Sequence, residues 1–132
     1  MNAIDWDALR QAASDARDRA YAPYSHFHVG AAILTADGSI HTGANVENKS
    51  YGLTVCAERN AVFSAICAGH LTFVAMALVT DISPAATPCG ACRQVIREFS
   101  GSIPILIANK SGQLSMTSIA ELLPDSFGPS VI

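Results

Sequence analysis

The chain is poor in charge: 14% of its 132 residues are Asp, Glu, Lys or Arg, while half are hydrophobic. It has no run of lysine or arginine, and its formal net charge is −3. A nucleic-acid-binding surface needs a basic patch, so the charge argues against nucleic acid as a partner. Long apolar runs are also missing. The most apolar windows, 61–68 and 73–79, are broken by Gly69-His70 and by Asp81, far short of the roughly 20 residues that span a bilayer, so no membrane partner is expected. The segment Met1-Asn2-Ala3-Ile4-Asp5 has neither the basic start nor the apolar core of a secretory signal. These absences point to a cytoplasmic, reducing compartment. Repeats, low-complexity segments and linkers are absent too. Residues 1–132 are therefore read as a single domain, long enough to bury a core without disulfides. So much apolar content in a short chain means either a large core or a surface covered by other subunits.

What the chain does have is four cysteines. In a reducing compartment they point to metal binding or catalysis rather than to a disulfide framework. Three of them fall in two short strings, Cys56-Ala57-Glu58 and Pro88-Cys89-Gly90-Ala91-Cys92. Three thiolates can hold a zinc ion and leave its fourth position open. A carboxylate two residues from one ligand can then act on whatever occupies that position, which describes a hydrolytic site rather than a structural staple.

Hydrophobic periodicity places these strings on elements. Residues 5–20 read as an amphipathic helix, with Leu9, Ala12, Ala13, Ala16 and Ala20 on one stripe. Residues 27–35 and 39–46 read as strands joined by a hairpin turn at Ala36-Asp37-Gly38-Ser39. A helix over 56–68 closes at Gly69. From 61 onward it is apolar on nearly every side, so a central helix covered all round is expected. A buried strand follows at 71–80, then a loop with two prolines at 81–88, a helix at 89–99, strands at 103–107 and 114–117, and a short helix near 119–123. The turn between the last two strands is too short for a parallel crossover, so they pair antiparallel. The order αββαβαββα predicts an α/β fold, a three-layer α/β/α sandwich around a mixed five-stranded sheet.

Cys89 and Cys92 are three apart and share one face of a helical turn, and Cys56 begins a different helix. Each thiolate therefore sits at a helix N-terminus, where the backbone dipole favours negative charge. The Cys-x-x-Cys pair could instead be a redox couple, but the third cysteine with its adjacent glutamate argues against that. Cys67 could close the site as a fourth ligand, but it lies eleven residues along the helix from Cys56, about 16 Å away along the axis. It is read as a small core residue. Histidines 26, 28, 41 and 70 form no i, i+4 pair. Glu58 is the candidate acid/base. Three thiolates on a divalent ion leave a net charge of −1, and Arg59 is the candidate that offsets it by touching a ligand sulfur.

Cys56-Ala57-Glu58 with Pro88-Cys89-Gly90-Ala91-Cys92 resembles the signature of the zinc nucleobase deaminases in its all-cysteine form. The strings 45–61 and 88–94, the segment Ala22-Pro23-Tyr24-Ser25 through Ala32, and Leu122-Leu123-Pro124 with Phe127 are similar to the small homotetrameric cytidine deaminases. The resemblance implies one zinc per subunit, held by Cys56, Cys89 and Cys92. It further implies that Phe27 flanks the pyrimidine, that Asn45 and Glu47 bind the ribose hydroxyls, and that the Ala57 backbone reads the ring edge. Phe127 would help close a neighbour's site in a homotetramer. The implied reaction is hydrolytic deamination of cytidine and 2′-deoxycytidine, a step of pyrimidine salvage. Zinc lowers the pKa of a water, Glu58 takes its proton, and hydroxide attacks C4. The rival readings are an antibiotic-nucleoside deaminase of the blasticidin S type, a non-catalytic zinc module and a polynucleotide deaminase.

Overall fold

The computed structural model describes residues 3–82 and 85–129. In chain order it has α1 (Trp6–Arg17), β1 (Gly30–Thr35), β2 (Ile40–Ala44), α2 (Ala57–Cys67), β3 (Phe73–Thr80), α3 (Gly90–Phe99), β4 (Pro104–Asn109), β5 (Leu114–Ser118) and α4 (Ile119–Leu122). A short 3-10 turn, Tyr51–Leu53, precedes α2. Element order follows the sequence expectation. The loop predicted at 81–88 includes residues 83 and 84, which lie outside the described residues.

The five strands form one sheet in the order β2-β1-β3-β4-β5. β1 runs antiparallel to both β2 and β3, β3 is parallel to β4, and β5 returns antiparallel to β4. The parallel pair needs a crossover, and α3 provides it. Alternation along the strands sends residues to two faces. Ala32, Ala75, Ala77, Val79, Leu106 and Ala108 pack with Leu9 and Ala13 of α1. Ile33, Met76, Leu78, Ile105 and Ile107 pack with α2 and α3 on the other side. This is the three-layer sandwich, with α1 alone on one face and the cysteine-bearing helices together on the other. Among the described residues, no helix is long and apolar enough to cross a membrane.

Glycine sets the spacing at two places. A Cβ on Gly43 of β2 would lie 2.3 Å from Ala61 N and 2.6 Å from Ala57 O, so α2 rests directly on the β2 backbone. A Cβ on Gly30 of β1 would lie 1.9 Å from Ala13 O of α1. The two helices approach the same antiparallel pair from opposite faces.

Three expectations need correction. β1 begins at Gly30 rather than at 27, because the Asn45 side chain takes up main-chain groups of Phe27 and Val29 there. Its Oδ1 accepts from Val29 N (2.9 Å) and its Nδ2 donates to Phe27 O (2.7 Å). Within this chain α2 is not covered all round: Ala57, Glu58, Ala61, Val62 and Ala65 are buried, but Phe63 is 45% exposed. A helix laid on one face of a sheet has one face to bury, whatever its composition. For the same reason Cys67, at the end of α2, is exposed and is not a core residue.

Candidate active site

Packing of α2 and α3 on the same face of the sheet brings their N-termini together. Cys56 is the N-cap of α2, and Cys89 is the N-cap of α3. The three sulfurs of Cys56, Cys89 and Cys92 all lie within 4.8 Å of one another. Cys89 Sγ is 3.3 Å from Cys92 Sγ and 3.8 Å from Cys56 Sγ. Ligands 2.3 Å from a tetrahedral ion stand about 3.8 Å apart, so the donor set fits a zinc held by three thiolates. Cys92 is fully buried, Cys56 half-buried and Cys89 exposed.

The charges in this cluster are unequal. The Cys92 thiol donates to the Cys56 sulfur and holds the Cys56 thiol down to about 5, against its own burial and with help from Arg59. The same bond, together with burial, pushes the Cys92 thiol up. Arg59 Nη2 donates to Cys56 Sγ at 3.5 Å, the contact expected of it. This thiolate bond keeps the guanidinium more firmly protonated than usual.

Glu58 is 5% exposed. Burial raises its carboxyl to about 7; its own backbone N–H opposes the rise, and the Cys56 thiolate adds to it. A carboxyl near neutrality can both take and return a proton at working pH. Glu58 lines a cavity of about 290 Å³ together with Cys56, Cys89, Ala57, Phe27, Asn45 and Glu47. The first intrahelical bond of α2 is Asn60 N to Cys56 O, so the Ala57 N–H ahead of it has no partner within the helix.

Glu47 accepts from the Tyr24 and Ser25 backbone N–H groups at 3.0 and 3.1 Å, and from the Ser25 hydroxyl. The Ser25 hydroxyl, followed by those backbone bonds, holds its carboxyl below the usual range. Asn45 is 7% exposed and spends both ends of its amide on Phe27 and Val29. Asn45→Ala should therefore cost about 2 kcal/mol, because it strands two polar backbone groups, and urea denaturation would measure the loss. Phe127 stands apart from this cavity. It is 87% exposed, and its carbonyl accepts from Gln94 Nε2 at 2.8 Å.

A family model, the cytidine and deoxycytidylate deaminase zinc-binding region, matches residues 5–107. The chain belongs to this deaminase family. It is 47% identical over 125 residues to the cytidine deaminase of Sporosarcina psychrophila, covering 94% of this chain and 92% of the relative. The solved structure of cytidine deaminase from Burkholderia pseudomallei superposes with a TM-score of 0.91 at 48% identity, covering 94% of this chain and all of that one. The Mycobacterium tuberculosis cytidine deaminase structure gives 0.83 at 44% identity, covering 96% of this chain and 100% of that one.

The deaminase cavity also contains residues that the sequence reading missed: Ser25, Thr54, Thr80 and Thr87. Thr54 carried a signal, since it lies two before Cys56 on an extended segment and so faces the same side. Thr80 ends β3, and Thr87 precedes Pro88; both reach the deaminase site only because the sheet brings strand ends to α2. Ser25 enters through its bond to Glu47, which nothing in its local sequence announces.

Proposed function

We propose that this chain hydrolytically deaminates cytidine and 2′-deoxycytidine to the uridines and ammonia, as a cytoplasmic step of pyrimidine salvage. The observation that carries the proposal is Glu58: a buried carboxyl near neutrality at the cavity wall, two residues from Cys56. Cys56, Cys89 and Cys92 would hold the zinc ion, which as a Lewis acid would lower the pKa of the attacking water. Glu58 accepts the proton of the attacking water and passes it to N3 of the pyrimidine. The hydroxide adds at C4; Glu58 then takes the proton of the new C4 hydroxyl and delivers it to the amino group, so that the C4–N bond breaks, ammonia leaves and C4 becomes the carbonyl of the uridine. Burial keeps competing water from the carboxylate between these transfers.

The remaining cavity residues orient the nucleoside. Phe27 flanks the base, and the Ala57 N–H reads the ring edge. Asn45 and Glu47 meet the ribose hydroxyls from a wall whose geometry their backbone bonds already hold. Arg59 offsets the surplus negative charge of three thiolates through its contact with Cys56. The chain acts as one domain and assembles as a homotetramer. The exposed Phe63 on α2, Tyr51 and Leu53 before it, and Phe127 in the tail support such an assembly. Phe127, turned away from its own cavity, closes a neighbour's.

Purified protein should contain one zinc per chain and deplete the ultraviolet band of cytidine, with turnover insensitive to salt. Stripping the zinc with a strong chelator should abolish turnover, and adding zinc back should restore it. Full turnover by metal-free protein, or zinc-loaded protein inert on both nucleosides, would overturn the reading.

A further inference from the structure

Among the described residues, few hydrogen bonds hold the loop that leads to Cys89. Within it, the Ala85 N–H donates to Gln113 Oε1 at 3.3 Å and the Ala86 N–H to Thr80 Oγ1 at 3.5 Å, both long bonds. As N-cap of α3, Cys89 makes no capping bond through its side chain. It is also the exposed member of the sulfur cluster. Cys92 is fully buried on α3 beside Ile96, and Cys56 leads into a helix seated by the buried Ala57 and Ala61. Packing thus buries one sulfur and half-buries another, while the exposed Cys89 follows the buried Pro88 at the end of a loop.

Arg93 folds back over this loop. Its Nε donates to Pro88 O at 2.7 Å, and its Nη2 donates to Thr87 Oγ1 at 3.0 Å. Those acceptors belong to the two residues directly before Cys89. Its Nη1 donates to Leu122 O at 2.9 Å, at the end of α4. We infer that Arg93 is a positioning residue for the zinc site: its guanidinium ties Thr87-Pro88 to the end of α4 and so holds the Cys89 sulfur where the other two converge. The inference rests on the zinc reading above. Three acceptors in different directions suit a planar fork with several donors; the single ammonium of lysine cannot span them. Arg97 offers an internal comparison. It lies one turn further along α3 and bonds Ser126 Oγ at 2.8 Å and Pro129 O at 3.2 Å, so it ties down the tail without touching the approach to Cys89.

The test is zinc transfer from loaded protein to pyridylazoresorcinol, alongside the thiolate charge-transfer band of the cobalt(II)-substituted protein and a thermal melt. Arg93→Ala and Arg93→Lys should release zinc about 10–100-fold faster than wild type and shift the cobalt band, the range seen when residues supporting metal ligands are changed. Thr87→Val should show a smaller increase. Arg97→Ala should release zinc at the wild-type rate, even where its melting temperature falls. Arg93→Lys that is folded, releases zinc within about twofold of wild type and keeps the cobalt band would overturn the inference. So would Arg97→Ala releasing zinc as fast as Arg93→Lys, since that would mean general loosening of α3. If Arg93→Ala does not fold, the Lys and Thr87→Val variants decide. Wild-type protein that holds no zinc would overturn the function proposed above, and this inference with it.

Discussion

Glu58→Gln should lower kcat by about three to four orders of magnitude while leaving one zinc per chain in place. General acid–base catalysis by one group contributes about 10²–10⁴-fold. Glu58 is asked to act at the upper end, because the same carboxyl handles the proton of the attacking water and that of the departing ammonia. Glutamine keeps the size and the hydrogen-bonding reach but cannot carry a proton. The fold should not suffer. The Glu58 carboxyl is raised by burial to about 7 from an ordinary 4.5. The stability it contributes is present below the unfolded value and is lost as pH rises through about 7, so at pH 8 the buried carboxylate is a cost to the fold. The Gln variant should therefore melt no lower than wild type at pH 8. Steady-state kinetics, metal analysis and a thermal melt on one sample test this. Turnover within about tenfold of wild type would remove Glu58 from the role of proton shuttle.

Gly43→Ala should lose both stability and turnover, although Gly43 does not line the cavity. The added Cβ would sit 2.3 Å from Ala61 N, 2.6 Å from Ala57 O and 2.7 Å from Asn60 C, all backbone atoms that cannot rotate aside. Real Cβ contacts essentially never fall under 3.0 Å, so α2 must retreat from β2. Overpacking of this kind costs about 1–3 kcal/mol. The displaced helix begins at Ala57, right after Cys56, and carries Glu58 in its first turn. A misplacement of about 1 Å can cost 10²-fold in rate, so kcat should fall by about that factor even in the folded fraction. Gly30→Ala makes a comparable clash with α1 on the opposite face of the sheet. It should lower stability yet retain zinc. Denaturant titration with kcat per zinc-loaded site separates the two variants. Wild-type stability and rate in Gly43→Ala would refute the close-approach argument.

The metal ligands were legible because their signal is local. Cys-x-x-Cys on a helical turn and Cys56 at a helix start need no partner to be recognised. The order of helices and strands along the chain was legible for a similar reason: apolar periods of two and 3.6, punctuated by Gly38, Gly69 and the turn at 109–112, place each of them within a few residues. The start of β1 was not, because the Asn45 side chain, sixteen residues from Val29, takes up the Val29 N–H and the Phe27 carbonyl there. Nor was the exposure of Phe63 and Cys67. Composition shows that a helix is apolar on every side, but not how many sides its neighbours cover.

Residue types, their spacing and the helix N-termini were sufficient to name three thiolates, a carboxylate and an arginine, and to exclude Cys67 as a fourth ligand. The fold was needed for the quantities that depend on distance and desolvation. Cys56 meets Cys89, thirty-three residues away, because Gly43 lets α2 rest on β2 while α3 crosses over the same face. Glu58 approaches neutrality because the assembled core, not the chain around it, removes it from water. Arg93 reaches Leu122 because the C-terminal segment returns along α3. Pattern along a chain is a property of neighbours in sequence, whereas acidity and ligand geometry belong to neighbours in space.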